Sequence, residues 1–189
     1  MDEQIKKQVS VYFSCFYKHT QKWKTLIEKS QRPLATLRNQ AEQLLHVERV
    51  DISTEFSDFP DLKEKLLFKI YTAIDEELSL LKSILLEFNS ALQELRNKLF
   101  ALDKLTVNVD WHNENSICGS ALLPSLPDLM QMALIGCRLY SDSYQNIANS
   151  LKCFNIRTEK SLNELTCSLR DVADERVNHI IAMTQYCYE

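Results

Sequence analysis

With 189 residues, a net charge of −4 and 45% apolar side chains, the chain has the size and composition of a folded domain, not of a disordered tail. Gly119 and Gly136 are its only glycines, where usage of ~7% would supply about thirteen. That scarcity excludes hairpin-rich and βα-loop architectures, and any glycine-rich phosphate loop.

The acidic balance leaves no basic face for direct nucleic-acid binding. No stretch approaches the ~20 apolar residues that a membrane span needs. Met1-Asp2-Glu3-Gln4 opens without the basic-then-apolar pattern of a signal peptide. The six scattered cysteines therefore read as reduced thiols packed as small hydrophobes, in a cytoplasmic and nuclear protein.

Ile5, Val9, Tyr12, Phe16, His19, Trp23 and Leu26 recur at alternating steps of four and three, which puts them on one stripe of a first helix over about 2–30. His19 falls in that stripe with no second histidine at helical spacing, so it reads as a packed core residue. Pro33 suits the opening turn of a second helix, about 33–47, with Leu34, Leu37, Ala41, Leu44 and Leu45 inward. Residues 48–59 hold turn and cap formers and read as a loop.

Asp58-Phe59-Pro60-Asp61 starts the long central helix, about 60–105. Leu78, Leu81, Leu85, Phe88, Leu92, Leu95, Leu99 and Leu102 form a heptad seam there. Leu62, Leu66, Ile70 and Ile74 extend it, and Leu67, Leu80, Ile84 and Ala91 flank it. At 1.5 Å per residue the helix runs about 65–70 Å, longer than a compact domain of this size is wide, so part of the seam is expected to overhang and seek a partner. Residues 106–125 read as a loop in which Trp111 and His112 pack onto the bundle. A fourth helix, about 126–154, opens between Pro124 and Pro127 and aligns Met130, Ala133, Cys137, Tyr140 and Tyr144. A fifth, about 158–187, starts at Thr158 and Ser161. The whole reads as a single all-α domain over 1–189, an elongated helical bundle or coiled coil of about five helices.

Chemistry is missing from this pattern. No histidine pair has metal-ligand spacing, and no Glu-x-x-His motif offers a di-metal bundle site. Glu76-Glu77 and Asp174-Glu175 are helix neighbours that point about 100° apart and share no site. The expectation is a non-enzyme with no cofactor.

Two runs carry a family resemblance: Pro33-Leu34 with Asn39-Gln40-Ala41-Glu42-Gln43-Leu44, and above all Phe59-Pro60-Asp61-Leu62-Lys63-Glu64-Lys65-Leu66. Pro127-Asp128-Leu129-Met130 with Tyr140 and Tyr144, and the apolar tail after Val177, match more loosely. The chain resembles the AIRIM family, the AAA-ATPase-interacting ribosome maturation factors. It departs where the family has a tryptophan-glycine turn after the fourth helix; Phe154-Asn155-Ile156 stands there. The resemblance implies a non-catalytic adaptor that pairs with a CINP-like helical protein and docks on hexameric AAA ATPases in cytoplasmic 60S maturation. Partner-interface candidates are Phe59, Pro60, Leu62, Leu66, Leu78, Leu81, Leu85, Phe88, Leu92, Leu95, Leu99, Tyr140 and Tyr144. A self-associating coiled-coil scaffold or tether, unrelated to ribosomes, is the alternative.

Overall fold

The computed structural model describes residues 2–50, 61–107, 109, 118–119, 123–170 and 175–187. The expected loop at 48–59 lies almost wholly outside these residues, as do Trp111 and His112. Every regular element among them is helical: α1 (Glu3–Arg49), α2 (Leu62–Thr106), α3 (Leu126–Lys152), α4 (Glu159–Ser168) and α5 (Glu175–Thr184), closed by a 3₁₀ turn at Gln185–Cys187. The fold is an all-α bundle, as the glycine scarcity and the helical stripes require. None of the described helices is long and apolar enough to cross a membrane.

The helices differ from the expectation in two places. The two segments read at 2–30 and 33–47 are one 47-residue helix with Pro33 inside it. An interior proline costs ~3 kcal/mol, through the missing N–H and the clash with the preceding turn. Here Leu34 and Leu37 are buried, as is Pro33 itself. At ~1.5–3 kcal/mol per fully buried leucine, burial of these two offsets it. Ser30 and Gln31, next to the break, donate to the carbonyl of Ile27 at 2.6 and 3.1 Å. The long helix α2 is thus matched by a second of similar length. At the other end, the single helix expected over 158–187 is two, α4 and α5. Thr158 occupies the N-cap of α4 but makes no side-chain cap bond, and the Ser161 hydroxyl accepts the Asn155 N–H instead (2.9 Å).

The start of α3 follows its sequence closely. Asp128 N–H, which an open helix end would leave unpaired, donates to Ser125 Oγ (3.3 Å), and the Ser125 hydroxyl is oriented by donating to the Asp128 carboxylate (2.5 Å).

Two compact units divide the chain. The first takes Met1–Thr25, Phe88–Gln145 and Asp171–Glu189, and the second takes Leu26–Glu87 and Asn146–Arg170. The first has an aromatic core: Tyr12, Phe13, Phe16, Trp23, Phe88 and Tyr140 are all fully buried. Aliphatic residues fill the second, among them Leu37, Leu44, Ile70, Ile74, Leu81, Ile84, Ile147 and Leu165. Its surface is clipped by Arg157, which donates to Glu48 (2.9 Å) and to the Tyr71 hydroxyl (2.8 Å), and by Gln31, which donates to the carbonyl of Leu169 at the end of α4 (3.2 Å).

Candidate functional site

The seam of α2 does not stand free. Leu81, Phe88, Leu92, Leu95 and Leu102 are buried by the chain's own residues, and Leu78, Leu85 and Leu99 are half-buried. The expected overhanging ridge is therefore corrected. The length argument assumed one long helix in a compact core, whereas α1 is as long as α2 and supplies apolar positions along its whole length. The flanking line splits: Ile84 and Ala91 are buried, while Leu80 is exposed.

The remaining interface candidates scatter. Leu62 is half-buried, Leu66 is exposed, Tyr140 is buried and Tyr144 half-buried; Phe59 and Pro60 lie outside the described residues. The structure brings Phe88 and Tyr140 together through Trp23, whose indole lies 4.5 Å from the Phe88 ring and 5.0 Å from the Tyr140 ring, centroid to centroid. Both serve the core.

His19 joins this cluster, 4.5 Å from the Tyr140 ring and edge-on to it, and 5.4 Å from Trp23. Burial lowers its pKa to about 4, a backbone hydrogen bond at Ala91 works against that shift, and Lys22 adds to it. The imidazole is therefore neutral at physiological pH. Its Nε2 has no hydrogen-bond partner, and one turn along α1 the indole Nε1 of Trp23 has none either. A neutral imidazole nitrogen accepts and an indole N–H donates, so the two unmet groups are complementary in kind. The tyrosine hydroxyls are met. Tyr12 donates to the Ala133 carbonyl (2.8 Å) and Tyr140 to Thr20 Oγ1 (3.1 Å). Tyr12 has its pKa raised well above the usual tyrosine value, by burial first and then by Cys137 and Cys15.

One residue of this cluster escaped the sequence reading of function altogether. A methyl on Gly136 would overlap the Phe16 ring, with Cε2 nearest and Cζ at 2.9 Å. Gly136 thus lets α3 approach α1 closely enough for Phe16 to meet Tyr140 edge-on, centroids 6.0 Å apart. The available signal was that a chain with two glycines spends one of them in mid-helix, where glycine costs about 0.5–1 kcal/mol against alanine.

None of this is reactive chemistry. Among the described residues no group of three or more His, Cys, Asp or Glu side chains could hold a metal ion. The described surface also leaves several large apolar side chains in water. On the α2 stretch of the second unit, Phe68 is 75% exposed and Leu86 69%; in the first unit Phe100 is 59% exposed, with Lys104 over its ring at 4.7 Å. Phe68 and Leu86 are eighteen residues apart, five full turns at 3.6 residues per turn, so they share one face of the helix. Sequence periodicity passed them over because they lie off the seam.

No curated protein matches the chain. A family model described as "Ribosome biogenesis protein C1orf109-like" matches residues 3–184, nearly the whole sequence. The chain belongs to this C1orf109-like family of ribosome biogenesis proteins, the AIRIM family to which the Phe59–Leu66 run pointed.

Proposed function

We propose that the chain is a non-catalytic adaptor subunit in cytoplasmic maturation of the 60S ribosomal subunit, found in cytoplasm and nucleus. In this reading it pairs through its helices with a CINP-like helical protein, and the pair docks on hexameric AAA ATPases. The observation that carries the ribosomal part is the family match over residues 3–184. Support for a binding role comes from the large apolar side chains that the fold leaves in water, Phe68 and Leu86 among them. Fully covering two such side chains is worth about 3–6 kcal/mol before the costs of association. The self-associating scaffold fares worse, because a homodimeric coiled coil needs a free seam, and five of the eight seam residues are already enclosed.

Affinity capture of the tagged chain from cell extract, with identification by mass spectrometry, tests the reading. The expected result is co-purification of a small helical partner, an AAA ATPase and pre-60S proteins. Phe68→Asp with Leu86→Asp should lose the helical partner while the helical circular-dichroism signal stays. Capture of none of the three classes, or a partner retained in full by the double variant, refutes it.

A further inference from the structure

The stretches of α1 and α2 in the first unit enclose a groove of about 420 Å³ whose charge runs against that of the chain. Lys18, Lys22 and Lys98 line it with one carboxylate, Glu94; His19 forms part of its wall and is uncharged. The local balance is thus three cations against one anion, in a chain of net charge −4. Among the described residues none of the three lysines meets a carboxylate at ion-pair distance. Their field reaches inward all the same. At the half-buried thiol of Cys15, burial and Glu94 raise the pKa, while Lys98 and Lys18 oppose the rise.

The shape of the groove narrows the choice of ligand. Its α1 wall steps by four through Ser10, Ser14, Lys18 and Lys22. Those twelve residues of rise span about 18 Å, the length of about five residues of extended chain. A compact anion such as inorganic phosphate needs donors converging on a point; here the cations are spread along a trough, and hydroxyls take over at one end.

We infer that this groove docks an acidic segment of a protein partner, with carboxylates opposite Lys18, Lys22 and Lys98 and Glu94 as a built-in repulsive residue that weakens the fit. The inference shares with the adaptor reading only the premise that the chain works by binding. Its test uses the purified chain and a peptide, so it can fail while the ribosomal assignment stands, and the reverse.

The probe is a fluorescein-labelled glutamate-rich dodecapeptide, titrated by anisotropy against the full-length chain at moderate salt. Lys18→Glu with Lys22→Glu is expected to weaken binding by about tenfold or more. Lys6→Glu with Lys24→Glu changes the net charge equally, on exposed positions of the same helix outside the groove, and is expected to stay within about threefold of the parent. Glu94→Gln is expected to tighten binding, a gain that a folding defect cannot imitate. Equal weakening by both lysine pairs, or no gain from Glu94→Gln, overturns the proposal. So does displacement of the peptide by inorganic phosphate, or by a single-stranded oligonucleotide at or below the concentration of unlabelled peptide that displaces it, since the groove would then be a general anion site.

Discussion

The two units share α1, α2 and α3 yet solve the packing problem with different materials. In the first, six large aromatic side chains and a neutral histidine interlock at ring distances of 4.5–6.4 Å, and a mid-helix glycine makes room for one of them. In the second, leucine and isoleucine fill the core, and Arg157 and Gln31 clip the surface. Aromatic rings carry much area and few rotamers, so they fix one arrangement; aliphatic cores accept repacking at constant volume. The first unit should therefore be brittle and the second tolerant.

The strongest way to break that contrast is a pair of substitutions. Trp23→Ala removes the ring that joins Phe88 to Tyr140 and should cost about 3–5 kcal/mol. Leu37→Met, a volume-conserving change at a fully buried site of the second unit, should cost less than about 1.5 kcal/mol. Urea unfolding of the two variants measures both. Similar losses would mean that the second core is as exacting as the first.

Acid provides the next largest effect. His19 is held at a pKa of about 4 in the folded chain, against 6.5 when free. The unfolded state therefore takes up a proton first as the pH drops. Stability from the neutral imidazole is fully present above pH ~6.5 and is lost as the pH falls toward 4, up to about 3 kcal/mol for this nearly inaccessible group. Thermal melts of the parent should fall across that window, and His19→Gln should flatten the fall. A parent curve that is level from pH 6.5 to 4 would place the imidazole in contact with water.

These residues also mark how far the sequence could be read. The stripe from Ile5 to Leu26 and the heptads of α2 were legible because burial selects apolar side chains at helical period, and burial is what the structure returned at Tyr12, Phe16, Trp23, Phe88, Leu92 and Leu95. Pro33 misled for a local reason: its backbone preference is a property of one residue, while the burial of Leu34 and Leu37 that overrides it depends on distant chain. The free seam misled for a global one, because periodicity shows that a face is apolar but not which element covers it. Phe68 and Leu86 were illegible as a surface, since periodicity marks the seam and passes over apolar residues that lie off it.

Gly136→Ala sharpens the comparison at the glycine. Alanine gains about 0.5–1 kcal/mol of helix preference, but its methyl must displace the buried Phe16 ring, which Tyr140 holds in place. Overpacking of this kind costs ~1–3 kcal/mol, so the net change should be a loss of about 1–2 kcal/mol. Phe16→Leu should abolish the penalty, and alanine would then stabilise that background. A double-mutant cycle in urea reads the coupling directly. No coupling would show that the ring can swing aside and that the aromatic core is less rigid than its distances imply.

Tyr12→Phe makes the smallest change and asks whether the first unit is held by rings or by their polar tips. It deletes the hydroxyl that donates to the Ala133 carbonyl across 121 positions of chain and leaves the ring in place. A net hydrogen bond contributes about 0.5–1.5 kcal/mol, and the loss should fall near 1 kcal/mol at pH 7. High pH reverses the comparison. Because the folded pKa is raised, Tyr12 keeps its proton in the fold and loses it on unfolding, so its contribution is full below pH ~10 and declines above it. Phenylalanine has no proton to lose, so the gap between parent and variant should narrow in urea melts from pH 9 to 11. A gap that stays constant would mean the hydroxyl ionises as freely inside as outside, and a loss well above about 1.5 kcal/mol at pH 7 would make this bond, more than the rings, what holds α3 against α1.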